Sequence, residues 1–417
     1  MTLHDLHLQG VRATQFRNER RVFLFLQGHP SRFWPRLAQG LQAQGYRVVK
    51  VHFCLADALF WDAGGAISFR GRFSAWRGWL ERLILTEGVT DVLYYADRQP
   101  YHVVGREGAE GVGCRTWAVE HGYLRPDWLT LEPGGMGPWS SFPRDRNAIE
   151  ALAGHAPKPD TVQRYSHSFA AEATQEVSFH LSAEAGRLLY PFYRSDRAVW
   201  PPFDYLSWLP ELVLARRREA RAIALQREMR RDHRRYILVA LQMATDYQIR
   251  AASPYRDLRD FLEEVISSFA RFSPPGLELV VKLHPLDNGL GRWFARVARM
   301  ALSAEIESRV HTVRGGNLEA WIAGSAGLVT VNSTTGIHAL RAGVPVCALG
   351  LAIYDLPGLT HQAGLDRFWQ RPEPVDRAFF SSFERALGTI QVKGSFYDPE
   401  GREAAVAEMV RRLQEAG

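Results

Sequence analysis

Residues 21–53 read RVFLFLQGHPSRFWPRLAQGLQAQGYRVVKVHF, and their pattern decides the fold class. The apolar run 21–26 (RVFLFL) has the length of a buried strand and stops at Gln27-Gly28-His29-Pro30, a Gly/Pro loop. Across 31–45 the apolar residues Phe33, Leu37 and Leu41 recur at helical spacing, and Gly45 closes the run. Arg47–Phe53 (RVVKVHF) then reads as a second strand. Strand, helix and strand within about thirty residues make a βαβ unit, whose strands run parallel because the helix carries the chain back.

The same alternation continues outward. Residues 74–87 read as a helix, and Asp91–Tyr95 (DVLYY) and Thr116–Val119 (TWAV) as strands. A second cycle starts near residue 235, with strands at Tyr236–Leu241, Leu277–Leu283, Ala326–Val331 and Val344–Leu349. Its helices fall at Tyr255–Phe272, 291–303 and Gly336–Ala342. The expected fold is therefore α/β and GT-B-like, two Rossmann-like domains facing each other across a cleft. The expected division is 1–150 for an N-terminal acceptor and catalytic domain, 151–234 for a helical connecting region, 235–395 for a C-terminal donor-binding domain, and 396–417 for a terminal helix. One doubly wound domain with a large helical insertion is the alternative.

Composition bounds the class. Of 417 residues, 46% are hydrophobic and 23% charged, which excludes a disordered or fibrous chain. The net charge of +6 points to anionic partners such as nucleotide, nucleic acid or lipid head groups. The only lysines are Lys50, Lys158, Lys282 and Lys393, and a GC-rich coding bias yields that arginine excess without any function. Cys54, Cys114 and Cys347 are odd in number and far apart, so a reducing compartment is expected. No run approaches the ~18 apolar residues of a spanning helix. Residues 1–20 are polar and lack the apolar stretch of a signal peptide. A cytoplasmic protein follows, compatible with a place on a membrane surface.

Polar clusters sit where strands end, which is where open α/β sheets bind ligands. Lys282-Leu283-His284-Pro285 sets a Lys and a His on one face, suited to a phosphate or a base edge, or else a His bonded in the core. Asn332-Ser333-Thr334-Thr335-Gly336 opens a helix whose unpaired N–H groups and hydroxyls suit an anion, although a plain Ser/Thr cap explains it equally. Glu120-His121-Gly122-Tyr123-Leu124-Arg125 gathers a carboxylate, a His and an Arg in one tight loop; a simple Glu120–Arg125 ion pair is the alternative. Asp97-Arg98 with His102, and Gln27-Gly28, close two further strands; solvated loop residues are the plain reading of both. There is no P-loop, nucleophile elbow, zinc spacing or D-x-D pair, so no metal is expected. Residues 216–235 hold nine arginines beside a partial apolar stripe. That run is a solvated helix or a face toward an anionic membrane, and known nucleic-acid signatures are missing.

Taken in order, these residues resemble a family. The set runs Leu26-Gln27-Gly28, then Asp97, Pro100, Tyr101 and His102, then Glu120 with Gly122 to Pro126, then Ser140 to Asp145. It continues with Leu241-Gln242, Asp246 and Gln248, then Val281-Lys282 with His284-Pro285, and ends on Asn332 to Gly336. The chain is similar, from about 20 to 370, to capsule polysaccharide biosynthesis proteins of the KpsS type. The resemblance implies a retaining β-Kdo glycosyltransferase of GT-B fold, with CMP-Kdo as donor and a phosphatidylglycerol-type lipid as acceptor, which starts the capsule linker. It implies a peripheral place on the inner face of the cytoplasmic membrane, possible capsule biosynthesis and export partners, no nucleic acid and no cofactor. The His-Pro and Ser/Thr motifs are also similar to the CMP-binding motifs of bacterial sialyltransferases.

Carried over position by position, the resemblance makes His284, Pro285, Ser333 and Thr334 contacts to CMP, and Glu120 the catalytic carboxylate. His121 stands where an acidic residue is common in that group, and is expected to assist proton transfer. Lys282, Asn332, Thr335 and Gly336 complete the expected donor site; Gln27, Gly28, Arg98, His102, Arg125 and Gln242 are the expected substrate contacts. Net retention by double displacement needs a carboxylate nucleophile at the anomeric carbon, the role given to Glu120. The rival readings are another GT-B transferase using a CMP- or CDP-activated donor, and a non-catalytic capsule-assembly adaptor.

Overall fold

A computed structural model describes residues 21–416 apart from 167, 196 and 198; the polar stretch 1–20 lies outside the described residues. The chain forms two units. One runs through Ser141, resumes from Asp160 and ends with the segment from Thr389; the other holds Phe142–Pro159 and Arg197–Gly388. The serial division expected from the sequence is thus replaced by one in which the chain passes between units. The connecting helices are shared out, and the terminal helix Pro399–Glu415 belongs to the first unit.

The first unit is built on a seven-stranded sheet of β1 (Val22–Phe25), β2 (Arg47–His52), β3 (Ala66–Ser68), β4 (Asp91–Tyr95), β5 (Arg115–His121), β6 (Trp128–Pro133) and β12 (Gln391–Lys393), in the order β12-β6-β5-β4-β1-β2-β3. The quoted stretch folds as read. β1 pairs parallel with β2, Val22 opposite Arg47 through Phe25 opposite Lys50, and the helix Phe33–Ala43 connects them. That helix buries Phe33, Leu37 and Leu41, and with Ala405, Met409 and Leu413 of the terminal helix it covers the sheet face of Phe23, Phe25, Leu93 and Val119. β6 and β12 are the departures from a parallel sheet: β6 runs antiparallel to β5, and β12 antiparallel to β6.

The second unit is built on five parallel strands, β7 (Arg235–Ala240), β8 (Leu277–Lys282), β9 (Val310–Val313), β10 (Gly327–Thr330) and β11 (Val346–Ala348), in the order β11-β10-β7-β8-β9. The helix Leu258–Phe272 starts where Asp257 caps the N–H groups of Arg259 and Asp260. It packs Phe261, Leu262, Val265 and Phe269 against Ile237, Val239, Leu279 and Val281. Each unit therefore has its own two-faced, mostly parallel sheet and its own core, the Rossmann-like composition expected.

Candidate functional site

In both sheets the first strand is flanked by the second and the fourth, so the strand order reverses between β1 and β4 and again between β7 and β10. At such a point the connections leave the sheet in opposite directions and open a crevice beyond the carboxyl ends of the strands. The loops that begin there are Gln27-Gly28 and Asp97-Arg98 in the first unit, and Gln242 and Asn332–Gly336 in the second. Each follows a buried strand as the sequence suggested; the strand order brings them together in pairs.

In the first unit β4 leaves the sheet through Ala96 in the left-handed region (φ 57). A non-glycine residue held there costs about 1–3 kcal/mol and marks a turn the surroundings enforce. The turn puts Asp97 fully inside, where one carboxylate oxygen accepts from the Met136 N–H at 3.0 Å. Arg98 lies over the Trp139 ring, 3.8 Å from its centroid, with Nε 3.4 Å from Asp97. The Arg98 Nε and Nη2 and the second Asp97 oxygen are buried without a hydrogen-bond partner. Asp97 matches the charge of Arg98 through Nε, but the buried Nη2 is left without an acceptor, a donor that an entering anion satisfies.

β5 and β6 add the carboxylates. Glu120 stands opposite Thr130, and Ala118 opposite Glu132. Alternation therefore puts Glu120 and Glu132 on the same sheet face as diagonal neighbours. The Glu120 Oε1 accepts from the His121 N–H at 3.2 Å. Glu132 is fully buried, accepts from Tyr123 Oη at 3.0 Å and from the Ser140 hydroxyl, and Tyr123 Oη in turn accepts from Gly137 N–H. Burial pushes the Glu132 carboxyl up to about 7 against those two hydrogen bonds, with the nearby Asp97 charge adding to the rise. Burial also raises Asp97, against Arg98 and the Met136 N–H. A carboxyl that changes charge near neutrality beside a second carboxylate is the environment of a proton carrier. The sequence reading missed Glu132. In WLTLEP it alternates with Leu129 and Leu131, which reads as the solvent side of a half-buried strand.

Several expected residues are placed otherwise than the sequence suggested. Glu120 and His121 close strand β5 instead of lying in a loop, and consecutive strand residues point to opposite faces. The His121 ring accordingly joins His29 (5.5 Å between ring centroids) and Phe396 (4.9 Å) on the other face, where His29 stacks on Phe396 at 4.1 Å. His102 does not face a crevice: it is fully buried, donates from Nδ1 to Ala96 O at 3.0 Å, and burial lowers it to about 4, which keeps the ring neutral. Arg125 is exposed and donates to Gly122 O.

Gln27 is buried, with its amide donating to Asp57 (3.3 Å) and Tyr193 (3.2 Å). Gly28 serves packing, since a Cβ there would stand 2.3 Å from the Trp34 ring. Behind Gln27 lies a group the sequence did not flag, although a lysine inside RVVKVHF was its signal. Lys50 is buried, donates to Leu26 O (3.0 Å) and Val51 O (2.7 Å), and has Asp57 at 3.7 Å; burial draws its ammonium below the usual lysine range.

In the second unit Gln242 and Asn332 pair through their amides. Gln242 Nε2 donates to Asn332 Oδ1 at 2.9 Å, and Asn332 N–H donates back to Gln242 Oε1 at 3.2 Å, tying the ends of β7 and β10 together. The helix Thr335–Ala342 begins with its first donors engaged. Thr335 N–H goes to Ser333 Oγ (3.2 Å), Gly336 N–H to Ser333 O (3.0 Å) and Ile337 N–H to Thr334 O (3.0 Å). The expectation of unpaired N–H groups is thus not met there, and an anion would meet the half-buried hydroxyls of Ser333, Thr334 and Thr335. Gly336 makes room for Tyr354, whose hydroxyl would lie 2.3 Å from an added Cβ.

At the end of β8, Lys282 is buried and its ammonium is lowered by burial, with Glu219 partly opposing. His284 Nδ1 accepts from Leu286 N–H at 3.1 Å, so in the neutral ring Nε2 carries the proton and is the donor. Pro285 is exposed beside it. Among the described residues no group of three or more His, Cys, Asp or Glu is close enough to hold a metal ion.

The chain matches the family described as capsule polysaccharide biosynthesis protein over residues 90–397. It is 30% identical over 389 residues to the capsule polysaccharide export protein KpsS of Escherichia coli, spanning 90% of this chain and 97% of that protein. It is 29% identical over 381 residues to the capsule polysaccharide modification protein LipB of Neisseria meningitidis serogroup A, spanning 90% of this chain and 91% of that one. Among solved structures, it is similar to the KpsC beta Kdo 2,7 transferase of Thermosulfurimonas dismutans at 15% identity and a TM-score of 0.47, over 95% of this chain and 99% of that one.

Proposed function

Since the chain belongs to the capsule polysaccharide biosynthesis protein family, we propose that it is a retaining glycosyltransferase that moves β-Kdo from CMP-Kdo to a phosphatidylglycerol-type lipid. The observation that carries this reading is the buried group at the end of β4 and β5, where Arg98, ion-paired to Asp97, keeps a buried Nη2 without an acceptor and two glutamates share one sheet face. Kdo is a keto-acid sugar, so its carboxylate supplies an acceptor for the Arg98 Nη2.

The chemistry runs in two displacements. The Glu120 carboxylate attacks the anomeric carbon as the bond to the CMP phosphate breaks, and CMP leaves with the electron pair. The lipid hydroxyl then attacks the same carbon, its proton passes to a base, and Glu120 is released as carboxylate. Two inversions give net retention. Glu132, poised near neutrality and reached through the half-buried Ser140 hydroxyl, is the base for that proton. Tyr123 and Ser140 position it. Lys282, His284 and the hydroxyls of Ser333, Thr334 and Thr335 hold the cytidine monophosphate and stabilise its charge as it departs. Gln242 and Asn332 act by holding those loops in register.

The test is incubation with CMP-Kdo generated in situ and a phosphatidylglycerol analogue, with mass spectrometry of the lipid. Lipid carrying one Kdo is the expected product. CMP-sialic acid and CDP-glycerol are run beside it. Transfer from either in place of CMP-Kdo would replace the donor assignment. Tight CMP-Kdo binding with no turnover on any acceptor would favour an adaptor.

A further inference from the structure

The second unit carries a run of large apolar side chains left in solvent. Phe203 and Leu206 on the helix Pro201–Leu206, and Leu209, Leu212 and Val213 on the helix Trp208–Arg231, are between 55% and 79% exposed. On the longer helix Leu209, Leu212, Val213 and Arg216 stand at i, i+3, i+4 and i+7, one continuous face. The opposite face is the anchored one. It holds Glu211, which accepts from Arg218 and Arg314, and the buried Ala222 and Met229. The helix therefore reverses the usual arrangement: its packed side is partly ionic and its outer side opens with leucines.

The outer face changes character along its length. After two apolar turns come Arg216, Arg217 and Arg221, all exposed, and no carboxylate among the described residues pairs with them. Elsewhere the chain's arginines pair repeatedly with acids, as Arg231 does with Asp232 and Arg234 with Glu228. An exposed apolar end followed along the same helix by uncompensated guanidinium groups lets that end enter the acyl-chain boundary obliquely while the arginines stay at the phosphates. No helix among the described residues is long and apolar enough to cross a membrane.

We propose that the exposed face formed by Phe203, Leu206, Leu209, Leu212 and Val213, continued by Arg216, Arg217 and Arg221, docks the protein on an anionic phospholipid bilayer. The occupant is the bilayer rather than a protein groove because the two chemistries follow in the order that a lipid surface presents them, and because the cations lack protein partners. The inference deepens the proposed function by naming the surface that brings the chain to a lipid acceptor. It stands or falls independently of the donor.

The test uses the full chain in sedimentation with vesicles of phosphatidylcholine alone and of phosphatidylcholine mixed with phosphatidylglycerol. Binding is expected to the mixed vesicles and to fall with salt. A Leu209→Ser, Leu212→Ser, Val213→Ser triple variant should bind at least about tenfold more weakly. An Arg216→Gln, Arg217→Gln, Arg221→Gln variant should lose on the order of a hundredfold on the anionic vesicles, and little on neutral ones. Both alter exposed side chains only, so circular dichroism should be unchanged, and transfer to a short-chain, micelle-free phosphatidylglycerol analogue should continue. That last arm separates loss of docking from loss of the proposed reaction. Unchanged vesicle binding in both variants overturns the proposal. So does a leucine variant that abolishes self-association in sedimentation velocity while the wild type ignores vesicles.

Discussion

Replacing Glu132 with Gln tests the buried site through its electrostatics. The substitution keeps the shape and one acceptor oxygen, so one of Tyr123 and Ser140 goes on donating while the other must turn to face the new amide N–H, and the side chain cannot ionise. A tenfold change in proton affinity is worth about 1.4 kcal/mol, so a carboxyl carried from 4.5 to about 7 disfavours its anion in the folded state by about 3 kcal/mol. The sign follows from proton counting. Below the unfolded value both states hold the proton and nothing is lost. As pH rises from 4.5 toward 7 the unfolded chain releases a proton that the folded chain keeps, so wild-type stability falls until the folded group also ionises.

The Gln variant lacks this slope. Its stability minus that of the wild type should therefore grow by about 3 kcal/mol between about pH 5 and pH 8. His52 and His102, both lowered to about 4 by burial, add stability as pH rises through part of the same range, but they do so in both proteins and cancel in the difference. The assay is urea unfolding followed by hydrogen-exchange mass spectrometry on peptides spanning β5 and β6, which reads the first unit alone. A difference that stays constant to within about 0.5 kcal/mol across that range would refute the reasoning. The same variant should lose the ionisation near 7 from the pH profile of transfer.

Glu120→Gln should reduce kcat by at least about a thousandfold and leave CMP affinity intact by calorimetry; near-normal transfer would remove it as nucleophile. His284→Ala should weaken CMP binding about tenfold through loss of the Nε2–H donor, and unchanged affinity would take it out of the donor site. Gly28→Ala drives a methyl to 2.3 Å from the Trp34 ring, so it should destabilise the first unit by about 1–3 kcal/mol in urea unfolding; an unshifted midpoint would show that the indole moves aside.

Local sequence carries local facts well. The length and punctuation of RVFLFLQGHP and RVVKVHF located β1 and β2, and DVLYY gave β4 to the residue. Gly and Pro after apolar runs marked the strand ends, and the candidate residues were chosen there because open α/β sheets bind ligands at such ends. Burial was less legible. His102 and Gln27 looked like crevice residues, yet the helix Pro100–Gly111 and the Asp57 carboxylate take them into the interior.

The amino-acid sequence by itself determined that this is an α/β chain with two strand-and-helix cycles and polar groups at the strand ends. Hydrophobic period and turn residues act within a few residues of one another, so they are written in any short window. Strand order is not. Only the tertiary structure set β1 beside β4 and β7 beside β10, returned residues 391–393 to pair antiparallel with β6, and laid Glu132 diagonally from Glu120. Those pairings join positions far apart in sequence, and a side chain's charge state depends on what such distant partners exclude. Glu132 titrates near 7 because burial under distant partners and the Asp97 charge raise it against the hydrogen bonds from Ser140 and Tyr123, a balance no window around residue 132 contains.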